Sequence, residues 1–304
     1  MKRRSWLYRS FIYSLPYYFL LILPIAYLVV FKYAPMYGVQ IAFKEYKASL
    51  GFLHSPWVGL KYFFMFISAP SFWRIITNTL VLSVYSLLMG TPLAIILALA
   101  LNECKRLRFK KTIQMITYMP YFISTVVLVT LLSQYTNLQF GIINIGLEAL
   151  GLPRQDFMGI SGMFPHLYVW SGIWQSTGYS AVIYIAALAG INSELYDAAM
   201  VDGANKLQRI LNVDLPAIAP TIIVLFVLNT GTILNVGFEK VYLMQNGANL
   251  TVSEILSTYV YKLGLKNFNY SFSTMVGLFN SFVSLILLTI CNVVSSRLSE
   301  TSLW

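Results

Sequence analysis

Charge is the property this sequence has least of. Only 11% of its 304 residues are charged and 58% are hydrophobic, whereas a soluble domain carries roughly 25% charged residues. The composition therefore indicates an integral membrane protein in contact with a lipid bilayer. Lysine and arginine number 21 against 11 for aspartate and glutamate. Basic residues at membrane edges set orientation, and they explain this excess without a nucleic-acid partner.

Charge is entirely missing from six apolar runs, each long enough to cross a bilayer at roughly 20 residues per span. Proton-coupled carriers need ionisable groups inside the membrane, so this absence disfavours a proton-driven carrier. A sodium site built from backbone carbonyls and hydroxyls stays open as an alternative. The six runs are Ser14–Phe31, Thr77–Leu101, Thr112–Gln134, Phe164–Gly190, Pro216–Val236 and Ser271–Val294.

Cysteine, histidine and nucleotide-binding motifs are also scarce or missing. The chain has two cysteines, Cys104 and Cys291, and two histidines, His54 and His166. No metal-ligand spacing occurs, and no G-x-x-x-x-G-K-[ST] string occurs. We therefore expect no disulfide, no metal site, no cofactor and no enzymatic activity on this chain.

The basic residues are distributed unevenly among the loops. Twelve lie in the short segments 1–13, 102–111, 191–215 and 295–304. Nine lie in the segments 32–76, 135–163 and 237–270, which are together nearly twice as long. The positive-inside rule places the first set in the cytoplasm. The prediction is an all-α integral membrane protein with six transmembrane helices and both termini cytoplasmic.

Neutral polar and aromatic side chains are abundant in the spans. Sugar rings have one apolar face and many hydroxyls, so aromatic and amide groups together suit a sugar translocation path. For any single residue, helix packing or placement at the membrane interface is the plainer explanation. The candidate path residues are Trp170, Trp174, Gln175, Tyr179, Asn229, Asn235 and Asn280.

The segment Glu194–Pro216 is a charged insert between two apolar runs. It predicts two short helices joined by a turn at Gly203, with Ser193 capping the first helix and Pro216 in the first turn of the next membrane helix. An amphipathic connector lying on lipid is the alternative. Four acidic residues against two basic ones make the segment net negative, which suits anionic lipid poorly. We therefore expect a protein partner.

Seven residues of this segment have a distinctive spacing. Asp-Ala-Ala is followed after three residues by Gly, after nine more by Val, and after one more by Leu-Pro. This resembles the coupling motif of bacterial ABC-importer permeases. That motif has Glu where this sequence has Asp197, and Ile where this sequence has Val213. The matching residues are Asp197, Ala198, Ala199, Gly203, Val213, Leu215 and Pro216.

Three further stretches resemble the complex-carbohydrate, LplB-type branch of the sugar-importer permeases. They are SPWVGLKYF (Ser55–Phe63), FWRIITNT (Phe72–Thr79) and YVYKLGLKNFNYS (Tyr259–Ser271).

The resemblance implies a binding-protein-dependent importer in the bacterial cytoplasmic (inner) membrane. Its partners would be a homologous second permease, a dimer of cytoplasmic ABC ATPase subunits that bind the ATP and Mg, and an extracytoplasmic sugar-binding protein. We divide the chain into an N-terminal helix and outer amphipathic segment (1–76), a five-helix core permease domain (77–294) and a short cytoplasmic tail (295–304). The outer segment is expected to help seat the binding protein.

The resemblance also implies an oligosaccharide substrate, with uronate-containing fragments among the candidates. The alternative function is a sodium-coupled secondary carrier or channel for a small polar solute. A membrane-bound enzyme is a third hypothesis, disfavoured because no catalytic constellation is visible. The uncharged spans and the docking segment, which a carrier would not need, favour the importer permease.

Overall fold

The computed structural model describes residues 2–299, and the side chains of residues 13–297. Within these residues the chain forms α-helices with short 3-10 and π turns and no β-strand. The helices are α1 (Lys2–Leu28), α2 (Gly51–His54), α3 (Lys61–Ile67), α4 (Phe72–Asn102), α5 (Leu107–Tyr118), α6 (Thr125–Tyr135), α7 (Ile142–Ala149), α8 (Phe164–Ala189), α9 (Ser193–Val201), α10 (Lys206–Arg209), α11 (Leu215–Gly231), α12 (Phe238–Met244), α13 (Leu250–Ser253), α14 (Leu256–Tyr261) and α15 (Tyr270–Ser299).

Four helical stretches in the described chain are long and apolar enough to cross a membrane, and a fifth is added if one bent pair counts as a single span. This confirms the prediction of an all-α membrane protein. The structure shows four to five apolar helices long enough to span a membrane. The 26-residue helix α8 lies outside this group, because its many neutral polar residues lower its mean hydropathy. The four stretches are Tyr13–Phe43, Phe72–Asn102, Lys206–Gly231 and Tyr270–Arg297.

The third predicted span, Thr112–Gln134, differs from the prediction of one straight helix. It consists of α5, a 3-10 turn at Met119–Phe122 and α6, and the two halves are bent by 97°. Pro120 lies in the turn, and Ile123 and Ser124 are extended. The Ser124 side chain then accepts a hydrogen bond from the Val127 amide and caps α6. Hydropathy alone did not reveal this break.

Several predicted spans have different ends in the structure; the second begins at Phe72 and the sixth extends to Ser299. The first continues beyond Phe31 through a π turn and a 3-10 helix to Phe43. The fifth stops at Gly231, five residues before its predicted end at Val236. The backbone after Gly231 is not helical, and its carbonyls need other hydrogen-bond partners. The Ser83 hydroxyl on the neighbouring helix α4 donates to the Ile233 carbonyl. Irregular backbone at membrane depth requires such a partner.

The chain divides into two compact units. The first comprises Met1–Phe66 with Leu263–Leu278, and the second comprises Ile67–Lys262 with Phe279–Trp304. Within the first unit, the Tyr46 amide donates to Ser271 Oγ at 2.9 Å, and the Phe66 and Phe272 rings meet edge to face. These contacts attach the loop after the first apolar stretch to the beginning of α15.

The second unit is built around the packing of α4 against α8. Small buried residues at the contact, Ala94 and Ala98 on α4 and Ala181 on α8, allow a close approach. Helix α5 also crosses α8 closely, since a Cβ added at Gly178 would lie 2.1 Å from the Thr117 carbonyl oxygen. This crossing holds the first half of the bent pair against α8.

Candidate functional site: a polar cavity and a helical insert

A cavity of about 450 Å³ lies between α4, α8 and α11 in the second unit. No Asp, Glu, Lys or Arg is among its described lining residues. Most of its polar groups are hydroxyls and amides on spans that are otherwise apolar. They are Ser83, Ser86, Thr91, Ser176, Thr177, Ser180, Asn229, Thr232 and Asn235. Such a lining can exchange hydrogen bonds with a neutral hydroxylated solute without holding a fixed charge.

The structure separates the seven candidate path residues into two groups. Tyr179, Asn229 and Asn235 line the cavity. The other four lie outside the described lining. Asn280 donates to a lining residue, the Asn235 Oδ1, at 2.8 Å, and Trp174 is 53% exposed. This second group consists of Trp170, Trp174, Gln175 and Asn280.

Gln175 holds the bend between α5 and α6. Its Nε2 donates to the carbonyl of Ile123 at 2.7 Å, at the point where the chain leaves helical geometry. A carbonyl freed by a break in a membrane helix needs a partner. Gln175 therefore has a packing role, which was the plainer explanation for a single polar residue in a span.

Aromatic side chains on α4, α8 and the turn between α5 and α6 contact one another, and one of them, Tyr179, lines the cavity. The ring of Tyr179 stacks on Tyr121 with centroids 3.9 Å apart and planes at 6°. Trp170 Nε1 donates to the Tyr85 hydroxyl at 3.0 Å, and the same hydroxyl lies 2.9 Å from Nδ1 of His166. These contacts fix the rings in defined orientations.

A buried cation lies close to the cavity wall. Lys240 on α12 is 8% exposed, and its ammonium donates to the carbonyl of Tyr168 at 2.8 Å. The ammonium also lies 4.8 Å from the centroid of the Tyr168 ring. No carboxylate in the described chain lies within 4.0 Å of it. Burial lowers the pKa of Lys240 to about 8.

The insert Glu194–Pro216 forms two short helices, α9 and α10, as its residues predicted. The first begins one residue earlier than expected, and Asn192 instead of Ser193 caps it by accepting from the Glu194 amide. At its end the Ala204 amide donates to the Ala199 carbonyl and the Gly203 amide to the Met200 carbonyl. With Gly203 at φ +73°, these are the two bonds of a Schellman motif. Glycine is needed here because L-residues rarely adopt this backbone conformation.

The seven spaced residues are mostly at the surface. Asp197, Ala198, Gly203 and Pro216 are exposed, while Ala199, Val213 and Leu215 are half-buried. Large apolar side chains are exposed beside them, including Val201 at 88%. The others are Leu195, Met200, Leu207 and Leu211.

Two partly buried polar links attach this insert to the long helices. The Tyr196 hydroxyl on α9 donates to a carboxylate oxygen of Asp214, which is fully buried immediately before α11. One guanidinium nitrogen of Arg209 on α10 donates to both carboxylate oxygens of Glu103, each at 2.9 Å, at the end of α4. Sequence reasoning missed these contacts and counted Asp214 as part of a negative surface. An acid directly before an apolar run was the available signal.

Burial and the adjacent carboxylate of Asp214 raise the pKa of Tyr196 to about 12. The phenol therefore keeps its proton and remains a donor to Asp214 throughout the physiological pH range.

Comparison with known proteins places the chain in a family. Residues 90–300 match the family described as the binding-protein-dependent transport system inner membrane component. The chain belongs to this family. It is therefore a transport component and a multi-pass protein of the inner membrane.

Two family relatives from Bacillus subtilis (strain 168) match almost the whole chain. Protein LplB is 40% identical over 100% of this chain and 92% of its own length. The polygalacturonan/rhamnogalacturonan transport system permease protein YteP is 40% identical over 95% of this chain and 90% of its own length. The resemblance to the LplB-type branch is confirmed by these matches.

Solved structures of a bacterial ABC transporter for the acidic polysaccharide alginate have the same fold. One chain superposes with a TM-score of 0.89 at 36% identity and covers 96% of this chain and 99% of its own. A second comes from the alginate transporter in complex with its periplasmic protein carrying an alginate pentasaccharide. It gives a TM-score of 0.90 at 36% identity and covers 98% of this chain and 99% of its own.

Proposed function

We propose that this chain is the membrane subunit of an ABC importer that moves an oligosaccharide into the cytoplasm. The observation that carries the proposal is the neutral cavity lined by hydroxyls, amides and tyrosines in a chain of this family. Sugars are recognised by hydrogen bonds to their hydroxyls and by stacking on their apolar face. Tyr179, Asn229 and Asn235 are the residues placed to make these contacts.

The substrate class we infer is an oligosaccharide that includes uronate units. YteP belongs to a polygalacturonan/rhamnogalacturonan transport system, and the structurally similar transporter imports alginate. The cavity itself carries no cation, so the sugar hydroxyls would be bound by this chain through neutral groups. Selection of the sugar would rest largely with a separate binding protein.

We propose the following topology and partners. The chain has six spans with both termini in the cytoplasm, so α9 and α10 project into the cytoplasm. The exposed motif residues and the apolar side chains beside them would dock on a dimer of ABC ATPase subunits that hold the ATP and Mg. A homologous second permease would complete the membrane pore, and an extracytoplasmic binding protein would deliver the sugar. The 1–76, 77–294 and 295–304 division remains our prediction for the chain's organisation.

The test of this function is transport by the reconstituted complex. Proteoliposomes would contain this chain with the second permease and ATPase that co-purify with it, together with the binding protein. We expect uptake of the oligosaccharides that the binding protein retains from a panel of neutral and uronate-containing oligomers, and only with ATP on the ATPase side. Uptake driven by a sodium gradient without ATP would instead support the carrier alternative.

A second test addresses the docking insert. Gly203→Val should leave the chain inserted but reduce binding-protein-stimulated ATP hydrolysis. A β-branched residue at φ +73° costs about 1–2 kcal/mol and disrupts the turn between α9 and α10. Gly190→Val is the matched control, since Gly190 also follows a helix, is exposed and has a negative φ of −85°. Normal stimulated hydrolysis in Gly203→Val would count against a coupling role for the insert.

A further inference from the structure

We propose that Tyr196–Asp214 and Arg209–Glu103 are two transmission links that carry movement of the docking insert to α11 and α4. These four are positioning residues and act through the helices that they join. The inference rests on the proposed function, because it needs an ATPase on the insert, but it concerns what happens after docking.

The connectivity of the helices shows why links are needed. Helix α10, the π turn Ile210–Asp214 and α11 form one continuous helical stretch, Lys206–Gly231. Helix α9 joins that stretch only through the turn that contains Gly203. A displacement of α9 would change the conformation of this turn without moving Lys206–Gly231, unless a second contact joins α9 to that helical stretch. The bond from Tyr196 to Asp214 is such a contact.

The link to α4 has a similar purpose. Helix α4 ends at Asn102, and the chain then departs into α5, so no direct covalent route leads from the insert to α4. The ion pair between Arg209 and Glu103 supplies a route, immediately after the last residue of α4. Both α4 and α11 line the cavity, so the two links together reach two of its walls.

The burial of these groups makes the links stiff. Asp214 is fully buried, and the side chains of Arg209 and Glu103 are only 17% and 16% exposed. Charges attract more strongly and are screened less at such sites than in water. Water competes poorly for these bonds, and breaking one leaves a buried charge without its partner. A link of this kind transmits a displacement instead of yielding to it.

Stability alone explains the links poorly. Asp214 Oδ2 and Arg209 Nε are buried and have no hydrogen-bond partner in the described structure. A buried polar network that is only partly satisfied is less stabilising than apolar packing of the same volume. Apolar side chains would hold the insert in place at lower cost. Polar links are directional, however, and fix the register between the insert and the two helices.

The experiment uses the assembled importer and reads the cavity walls directly. The two native cysteines are replaced by Cys104→Ser and Cys291→Ser, and a reporter is introduced as Leu87→Cys on α4 or Leu225→Cys on α11, both of which line the cavity. A water-soluble maleimide is the probe, with and without ATP plus vanadate. The labelling rate should change when the ATPase dimer is trapped closed.

Each link is then broken by a small change. Tyr196→Phe and Asp214→Leu sever the first link, while Asp214→Asn keeps an acceptor. Arg209→Gln and Glu103→Gln sever the second, and the reversed pair Glu103→Arg with Arg209→Glu restores it. Arg108→Gln is the control, because Arg108 is exposed and has no carboxylate within 4.0 Å in the described chain.

We expect the severed variants to co-purify with the ATPase normally while the ATP-dependent change in labelling falls at least about fivefold, the lower end of typical coupling between sites. Asp214→Asn and the reversed pair should recover most of the change, and Arg108→Gln should behave as the unmodified chain. If the links only stabilised the fold, the variants would lose ATPase binding and the labelling change together.

Three results would overturn the links. They are an unchanged labelling response in the severed variants, loss of ATPase binding in those variants, and failure of the reversed pair to recover. If the unmodified chain binds no ATPase at all, the proposed function itself fails, and the inference fails with it.

Discussion

At the scale of single residues, environment decides what a polar side chain does. Asp197 and Asp214 have the same chemistry and lie in the same insert. Asp197 is exposed, whereas Asp214 is fully buried and accepts a hydrogen bond from the Tyr196 hydroxyl. Gln175 and Asn229 are both amides in apolar spans, yet one holds a helix break and the other lines the cavity. The residue type limits which roles a polar side chain can have, and the neighbouring residues decide which of these roles it takes.

Lys240 leads to a prediction of pH dependence. Its pKa is about 8 in the folded protein and ordinarily 10.5. Below pH 8 Lys240 is protonated in both the folded and the unfolded state. Burial of its charge then lowers the free energy of unfolding by the full amount. Between pH 8 and 10.5 the unfolded state binds more protons, so the free energy of unfolding rises with pH.

Thermal unfolding of the detergent-solubilised chain at pH 7.5 and 9.5 measures this rise. Lys240→Met should abolish the rise, and Lys47→Met, at an exposed position, should leave it unchanged. Equal pH dependence in the chain with and without Lys240 would disprove the assignment.

At the scale of helices, packing changes what the apolar pattern predicts. The run Thr112–Gln134 is apolar throughout, yet it is bent by 97° because Pro120 breaks the helix, Ser124 caps the next one and Gln175 binds the freed carbonyl of Ile123. Helix α8 is central to the second unit although its polar residues lower its hydropathy. Both features depend on contacts between helices.

The crossing of α5 and α8 gives a test at this scale. Gly178→Ala places a Cβ 2.1 Å from the Thr117 carbonyl oxygen, so the helices must move apart. We expect a loss of about 1–3 kcal/mol in the free energy of unfolding, as for other overpacked sites.

Gly146→Ala on α7 is the matched control. It is also a helical glycine, but it has nothing within 4 Å, and alanine should stabilise it by about 0.5–1 kcal/mol. Thermal unfolding of the two variants compares them directly, and equal effects would refute the close crossing.

At the scale of the whole molecule, the two ends of the second unit differ in how they are organised. The insert is attached through Tyr196, Asp214, Arg209 and Glu103, whereas the loops 135–163 and 244–254 are joined through asparagine side chains. Asn246 and Asn249 both donate to the Met158 carbonyl. The loops therefore form an ordered surface, as a platform for a docking partner requires.

The segment 32–66 of the first unit, which we predict to lie outside the cytoplasm, gives a prediction about the binding protein. Leu53 is 74% exposed in the segment expected to seat it. Leu53→Glu should weaken docking of the binding protein by about tenfold, the loss typical of one well-packed interface residue. It leaves the bond from Tyr46 to Ser271 intact, which a deletion of Tyr46–Leu53 would destroy.

Leu107→Glu, also highly exposed but on the predicted cytoplasmic side, is the control. Titration of the binding protein onto the reconstituted complex measures both variants. If the binding protein has the same affinity for the Leu53→Glu complex as for the unmodified one, the segment around Leu53 is not part of its docking surface.

The sequence by itself determined the membrane class, the apolar helices and the two short helices of the insert Glu194–Pro216 with their glycine turn. These follow from hydropathy and from local backbone rules, which act within one segment. Only the tertiary structure decided which amides line the cavity, where the third span bends and that Asp214 is buried. These depend on distances between segments that are far apart in the chain, such as α4 to α10 and α8 to the turn at Ile123, and no local pattern encodes such distances.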